Sequence, residues 1–365
     1  MNIEQTSRRS GKVKSRWLRR FSTCFFTMVL IVFTVSQAKA QKEPMLWLHV
    51  KGNHLENSFG HYTVLRGAAT PDLQTLAGRP GGINGVIDKM IDGGIGIDSG
   101  VIRLAVFPWL FAQNPDMYFK SYLKPAAEHC VQKRIYCIVD YHGFGDRSYN
   151  YNSPVVDRQI RSFWSYVAPK FKDVPNIFFE LFNEPVNPQD WSTWKQTAQP
   201  WVDLIRAVAP KIIIIIGSPL WSSFTRFAAT DPFRGSNLVY TLHLYPETFQ
   251  GGGLGNWDRG FGRAAQTLPI FITELGWPST DPQASKFLHQ TTSDFGVPVR
   301  RYLDNVHPNV NWIAWVYDPS WQPTMVDWNY NPLGGEEHEG KFIQQWLQDK
   351  RNSSTSQTNH RPVTR

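Results

Sequence analysis

Short runs of apolar, β-branched and aromatic residues recur along the chain, separated by longer stretches whose apolar positions fall three or four apart. The runs are Val64–Gly67, Gly100–Val106, Arg134–Tyr141, Asn176–Phe182, Ile212–Ile216, Leu238–Leu242, Ile270–Thr273 and Trp312–Val316. Between them, Ile83–Met90, Asp116–Gln132, Val155–Lys170, Trp191–Val208, Ser222–Ala229, Asp258–Gln266 and Ala284–Asn305, broken near Pro298, have helical spacing, and Lys341–Lys350 closes the series. Runs that are apolar throughout, without alternation, predict strands buried on both faces, as in a parallel sheet flanked by helices. Eight such units predict an α/β fold of one (β/α)8 TIM barrel. A doubly wound sheet would normally show a Gly-rich first turn, and Gly93-Gly94-Ile95-Gly96 does not supply one. Leu46–Val50 and Gly60–Thr63 predict a small N-terminal β-hairpin ahead of the barrel.

The two ends differ from the body. Residues 1–40 hold eight basic residues and one acid, an apolar run from Phe21 to Val35, and Ala38-Lys39-Ala40, the layout of a secretory signal peptide cleaved before Gln41. The apolar run is short for a membrane span of about 20 residues. The polar, low-complexity segment 351–365 is expected to be a disordered tail, leaving 41–350 as the barrel domain.

This division changes the meaning of the charge. The whole chain has 38 Lys+Arg against 30 Asp+Glu, a formal +8, but residues 41–350 carry 27 basic and 29 acidic residues. A nucleic-acid-binding or membrane-surface body is therefore disfavoured. Cys24 lies in the leader, and Cys130 and Cys137 remain, either as a disulfide or as two buried thiols, neither read as catalytic.

The chemistry of such barrels gathers at the C-terminal ends of the strands. The fourth strand ends in Asn183-Glu184-Pro185 and the seventh in Thr273-Glu274-Leu275-Gly276-Trp277. Either glutamate alone reads as a turn or a cap. Two at one rim can flank a glycosidic bond, one giving a proton and the other attacking the anomeric carbon. Period two aims His243 and Tyr245 of the sixth strand to one side. Arg103, inside an apolar strand, needs an anion, for which Glu274 is the candidate. His142 follows the third strand, and Trp315, in the eighth, is either core packing or a platform for a sugar ring.

Together Arg103, His142, Asn183-Glu184-Pro185, His243-x-Tyr245, Glu274 and Trp315 resemble the active-site set of glycoside hydrolase family 5, the cellulase family of clan A. The resemblance covers residues 60 to 350. It implies Glu184 as acid/base, Glu274 as nucleophile, Asn183 as the ligand of the sugar 2-hydroxyl, and Arg103 and Tyr245 as supports of Glu274. His142 and His243 would line the site, and Trp315 would form its floor. No metal and no cofactor are required.

The 14% aromatic content then bears on the ligand. Trp109, Trp221, Trp277, Trp321 and Trp328 are expected at the rim, stacking on sugar faces or packing loops. Trp321, Trp328 and Tyr330 lie in the long loop Pro319–Gly340, expected to edge the cleft. His49, His54 and His61 are expected at the surface without metal-ligand spacing, and Glu336-Glu337-His338-Glu339 in a solvated loop. The expectation is a monomeric, extracytoplasmic (secreted or periplasmic) endo-β-1,4-glucanase acting on a polysaccharide or oligosaccharide, with an endo-β-1,4-mannanase or another β-glycanase as the nearest alternative. A non-catalytic carbohydrate-binding barrel is disfavoured, because both carboxylates are present.

Overall fold

Eight parallel strands close into a barrel in the computed structural model, which describes residues 45–93, 100–246, 248, 254–277 and 289–358. The barrel strands are β4 (Arg66–Ala69), β5 (Gly100–Val106), β6 (Tyr136–Tyr141), β7 (Ile177–Glu180), β8 (Ile214–Ile216), β9 (Leu238–Leu244), β10 (Ile270–Leu275) and β11 (Asn311–Ala314), with β11 pairing β4 to close the ring. The predicted TIM barrel is the observed fold.

Alternation along each strand splits the core in two. Leu65, Val101, Ile138, Phe178, Ile215, Val239, Phe271 and Ile313 fill the barrel interior, and the outward set packs under the helices. Much of the aromatic excess lies in that outer layer, where Trp164, Trp194, Trp201, Trp312 and Trp346 are fully buried. Two of these indoles also fix strand ends. Trp164, in helix Pro154–Phe171, donates Nε1–H to the Leu181 carbonyl (3.1 Å), and Trp194, in helix Trp191–Val208, donates to the Gly217 carbonyl (2.7 Å). The side chains of Ser153 and Asp190 cap the N-termini of these two helices.

The N-terminal element differs from the hairpin expected. It is a three-stranded antiparallel sheet, β1 (Leu48–Lys51), β2 (His54–Asn57) and β3 (Tyr62–Thr63), in which Lys51 pairs His54 across a two-residue turn. Gly52, at φ +58°, takes the left-handed position that the turn requires. Leu48 and Leu55 join the inner core and Tyr136 donates its hydroxyl to the Leu46 carbonyl, so the sheet caps the barrel's N-terminal mouth. The first barrel strand accordingly starts at Arg66, two residues later than read.

Other boundaries moved less. The expected helix Ser222–Ala229 is a 3-10 turn, Thr225–Ala229, preceded by left-handed backbone. Asp116–Gln132 is helical but passes through a π-helical turn at Phe119–Leu123. The closing helix runs Gly340–Thr358, into the segment expected to be a tail. The expected leader and the first part of the expected Ala284–Asn305 helix lie outside the described residues. Cys130 and Cys137 form a disulfide. Among the described residues no helix is long and apolar enough to cross a membrane.

Candidate active site

The inward positions change character along the barrel axis. Above Val101, Ile138, Phe178 and Phe271, the next inward side chains are Arg103, Asp140, Glu180 and Thr273, all fully buried. The β9 ladder continues through Thr241, His243 and Tyr245. A register shift between Ile272 and Glu274, where β10 pairs β9, lets Thr273 and Glu274 both serve the same mouth.

Arg103 organises this layer. Its Nε donates to Glu180 Oε2 (2.6 Å), Nη1 to Glu274 Oε1 (2.9 Å) and Nη2 to Asn183 Oδ1 (2.6 Å), with Asp140 Oδ2 at 3.0 Å from Nη2. Burial disfavours its charge, but Asp140, Glu180 and Glu274 outweigh that and raise its proton affinity. Burial likewise opposes ionisation of Glu180, yet the guanidinium and His243 bring that carboxyl down to about 2. Asp140 is pushed up by burial against the pull of Arg103. Its Oδ2 lies 2.6 Å from His142 Nδ1. Burial and then the nearby Arg103 lower His142 to about 4, so its imidazole is neutral at physiological pH.

The two rim glutamates meet over this layer. Asn183 and Glu184 leave the end of β7 with their N–H groups bonded to the Tyr141 and Gly143 carbonyls, both at 3.0 Å. Glu274 accepts from Arg103 on one oxygen and from the Tyr245 hydroxyl on the other (2.6 Å). His243 Nδ1 is 2.8 Å from Glu184 Oε1 and 3.4 Å from Glu274 Oε2, and its Nε2 is 3.2 Å from Thr273 Oγ1. Burial opposes its charge, but Glu274, Glu180 and Glu184 raise it to about 10. His243 thus lies between the carboxyl groups of Glu184 and Glu274. One ligand atom each from Glu184, His243 and Glu274 lies within 4.8 Å of the others.

Asn183 contributes one further group. Arg103 fixes its Oδ1, and Nδ2, buried, finds no partner among the described residues. Trp315 is 7% exposed and lies parallel to His142, with centroids 5.3 Å apart. Its Nε1 donates to the Gln322 carbonyl, and its peptide bond to Val316 is cis.

The rim tryptophans divide. Trp109 stacks on Phe107 (4.1 Å), Phe107 on Trp321 (5.4 Å), and Trp321 lies 5.9 Å from Trp315. The four rings form a continuous shelf leading from the site. Asp318 holds it by accepting the Trp321 N–H while pairing bidentately with Arg79. Trp221, on the loop after β8, and Trp328, over which Arg79 lies, are both exposed. Trp277 departs from expectation. It is fully buried, packs on Phe295 and Phe342, and donates its N–H to Glu339 Oε2 (2.8 Å). Glu339 is therefore buried as well, not part of a solvated run, and burial pushes its carboxyl up. Tyr330 is also internal, stacked on Tyr317.

Comparison with known proteins decides the family. The model of cellulase (glycosyl hydrolase family 5) matches residues 60–320. The chain belongs to glycosyl hydrolase family 5. Relatives include endoglucanase Z of Dickeya dadantii (strain 3937), 30% identical over 53% of this chain and 42% of that protein. An endoglucanase of Clostridium saccharobutylicum is 24% identical over 83% of this chain and 65% of that protein, so the chain spans less than two thirds of either. Among solved structures, β-glucanase SdGluc5_26A from Saccharophagus degradans superposes with a TM-score of 0.75 at 25% identity, covering 85% of this chain and 95% of that one.

Within this family 5 barrel, Arg103, His142, Asn183, Glu184, His243, Tyr245, Glu274 and Trp315 converge on one mouth. Asp140, Glu180, Thr273 and Phe107 belong with them and were not singled out from the sequence. For Asp140 and Glu180 the signal was present, since each is a charge inside an apolar strand, as Arg103 is.

Proposed function

We propose that the chain is an exported, retaining glycoside hydrolase that cleaves internal β-1,4 bonds of a β-glucan. The observation that carries this reading is that one carboxyl oxygen of Glu184 and one of Glu274 lie within 4.8 Å of each other, with both oxygens of Glu274 held by donors. That separation suits a direct covalent attack, whereas an inverting pair needs room for water, about 6.5–9.5 Å. In the first step a Glu274 oxygen bonds to the anomeric carbon while Glu184 delivers its proton to the departing glycosidic oxygen. Arg103 and Tyr245 hold the two oxygens of Glu274 in place for that attack, and Asn183 Nδ2, unpartnered among the described residues, is the donor for the sugar's 2-hydroxyl. In the second step Glu184 removes a proton from water, which attacks the anomeric carbon and releases Glu274.

Several features support the rest of the reading. The shelf from Trp315 through Trp321 and Phe107 to Trp109 presents apolar ring faces of the kind pyranose CH surfaces cover. The endoglucanase relatives and the β-glucanase neighbour favour a β-glucan. The basic and apolar leader and the Cys130–Cys137 disulfide suit an oxidising compartment outside the cytoplasm.

The test is product analysis over β-glucans, mannans and xylans, with the anomeric configuration followed by NMR. Glu184→Ala and Glu274→Ala are each expected to abolish hydrolysis of the polysaccharide with the fold intact. Inverted product, or either variant keeping most of its activity, would refute the double displacement.

A further inference from the structure

Beyond β8 the backbone does something unusual for non-glycine residues. Leu220, Trp221 and Ser222 are consecutively left-handed, at φ +57°, +54° and +57°. An L side chain crowds the following carbonyl there, so a run of three persists only where surrounding contacts impose it. The Ser222 N–H closes the turn on the Ser218 carbonyl (2.9 Å), and three further contacts reach the segment that carries Glu184. Leu220 N–H donates to the Val186 carbonyl (3.3 Å), Trp221 N–H to the Pro185 carbonyl (3.2 Å), and Ser222 Oγ to the Asn183 carbonyl (2.9 Å).

Ser222 is fully buried. Its hydroxyl also has no slack, since a Cβ on Gly217 would lie 2.8 Å from Ser222 Oγ and 3.0 Å from the Phe182 carbonyl oxygen. The carbonyls on both sides of Glu184 are thus fixed by one turn, and that same turn holds Trp221 at the surface. The Glu184 N–H is held separately, by Gly143.

We propose that Ser222 is a positioning residue for Glu184, locking the Asn183–Glu184 peptide so that the carboxyl meets the departing oxygen. The inference rests on the proposed role of Glu184 as proton donor. Its consequence depends on the leaving group. A departing sugar hydroxyl needs the proton, whereas a dinitrophenolate leaves without one, so misplacement of Glu184 slows the first step only for the former.

The experiment compares kcat/KM for cellotetraose and for 2,4-dinitrophenyl β-cellobioside in Ser222→Ala and Ser222→Gly. Alanine keeps the unfavourable φ, whereas glycine relieves it, so the two variants should differ in melting temperature while sharing the lost hydroxyl. Both are expected to lose about tenfold or more on cellotetraose and less than about twofold on the dinitrophenyl substrate. Equal losses on both substrates, or a loss that tracks melting temperature, would overturn the positioning role. Glu184→Gln, run alongside, separates the layers. If it discriminates between the substrates and the Ser222 variants do not, Ser222 has no such role. If it fails to discriminate, Glu184 is not the proton donor and both readings fall.

Discussion

Arg103 and Glu180 form a pair sealed from solvent, Nε to Oε2 at 2.6 Å, beneath the mouth of the barrel. The pair fixes the plane of the guanidinium, and that plane decides where Nη1 and Nη2 meet Glu274 and Asn183. A planar fork can serve such an array of acceptors at once, while an ammonium on a flexible stem cannot.

Arg103→Lys is therefore expected to fold yet lose about 100-fold or more of kcat on β-glucan, because Glu274 loses its oriented donor. Arg103→Ala leaves Glu180, Asp140 and Glu274 without their shared cation and is expected to lower stability by about 3–5 kcal/mol in urea unfolding. A lysine variant with near wild-type kcat would refute the orienting role.

Tyr245 supplies the other donor to Glu274. Tyr245→Phe keeps the ring and removes one hydrogen bond to a charged group, an interaction of about 1.5–3 kcal/mol. The expected result is a loss of about 10- to 100-fold in kcat/KM with little change in melting temperature. A fall in melting temperature without a kinetic effect would make the tyrosine purely structural.

The two histidines predict opposite limbs of a stability–pH curve. His243 is raised to about 10, above the ordinary value near 6.5. Its contribution is complete below pH 6.5 and declines as pH rises towards 10. His142 is lowered to about 4, so its contribution is present above pH 6.5 and is lost as pH falls towards 4. Glu180, at about 2, adds a loss only below the ordinary carboxylate range near 4.5. Melting temperature measured from pH 4 to 10 should fall on both sides of about 6.5. His142→Asn should flatten the interval between 6.5 and 4.5, and His243→Asn the alkaline side. Unchanged slopes would show that neither imidazole is held in the stated charge state.

The strand runs were legible because parallel barrel strands are apolar on both faces, and Gly100–Val106 was read to the residue. The two rim glutamates, Glu184 and Glu274, were legible as charges at strand ends. Asp140 and Glu180 carry the same signal as Arg103, a charge within an apolar strand, and were missed because Glu274 alone was matched to the anion that Arg103 requires, whereas the guanidinium serves Glu180 and Asp140 as well. The N-terminal pairing failed because the Gly52-Asn53 turn lies inside a stretch read as a loop between two strands. Trp277 and Glu339 were misplaced together. Each reads locally as a rim aromatic or a surface charge, and only their mutual contact buries both. The left-handed turn at Leu220–Ser222 leaves no glycine in the sequence to announce it.

That difference among tryptophans is itself measurable. Trp109 is half exposed at the far end of the shelf, whereas Trp277 is enclosed by Phe295, Phe342 and the glycine at 296. Trp109→Ala should raise KM for long cello-oligosaccharides by about tenfold, leave a short aryl cellobioside almost unaffected, and keep the melting temperature. Trp277→Ala should do the reverse, costing about 3–5 kcal/mol of stability through the cavity it opens while leaving KM near that of the parent in whatever fraction remains folded. Asp318→Asn joins the two behaviours. It weakens the anchor shared by Arg79 and the Trp321 backbone, so it should raise KM for long substrates as Trp109→Ala does, with a smaller loss of stability than Trp277→Ala. If Trp109→Ala slows short and long substrates equally, the ring belongs to the packing of the rim and not to a chain of sugar-binding positions.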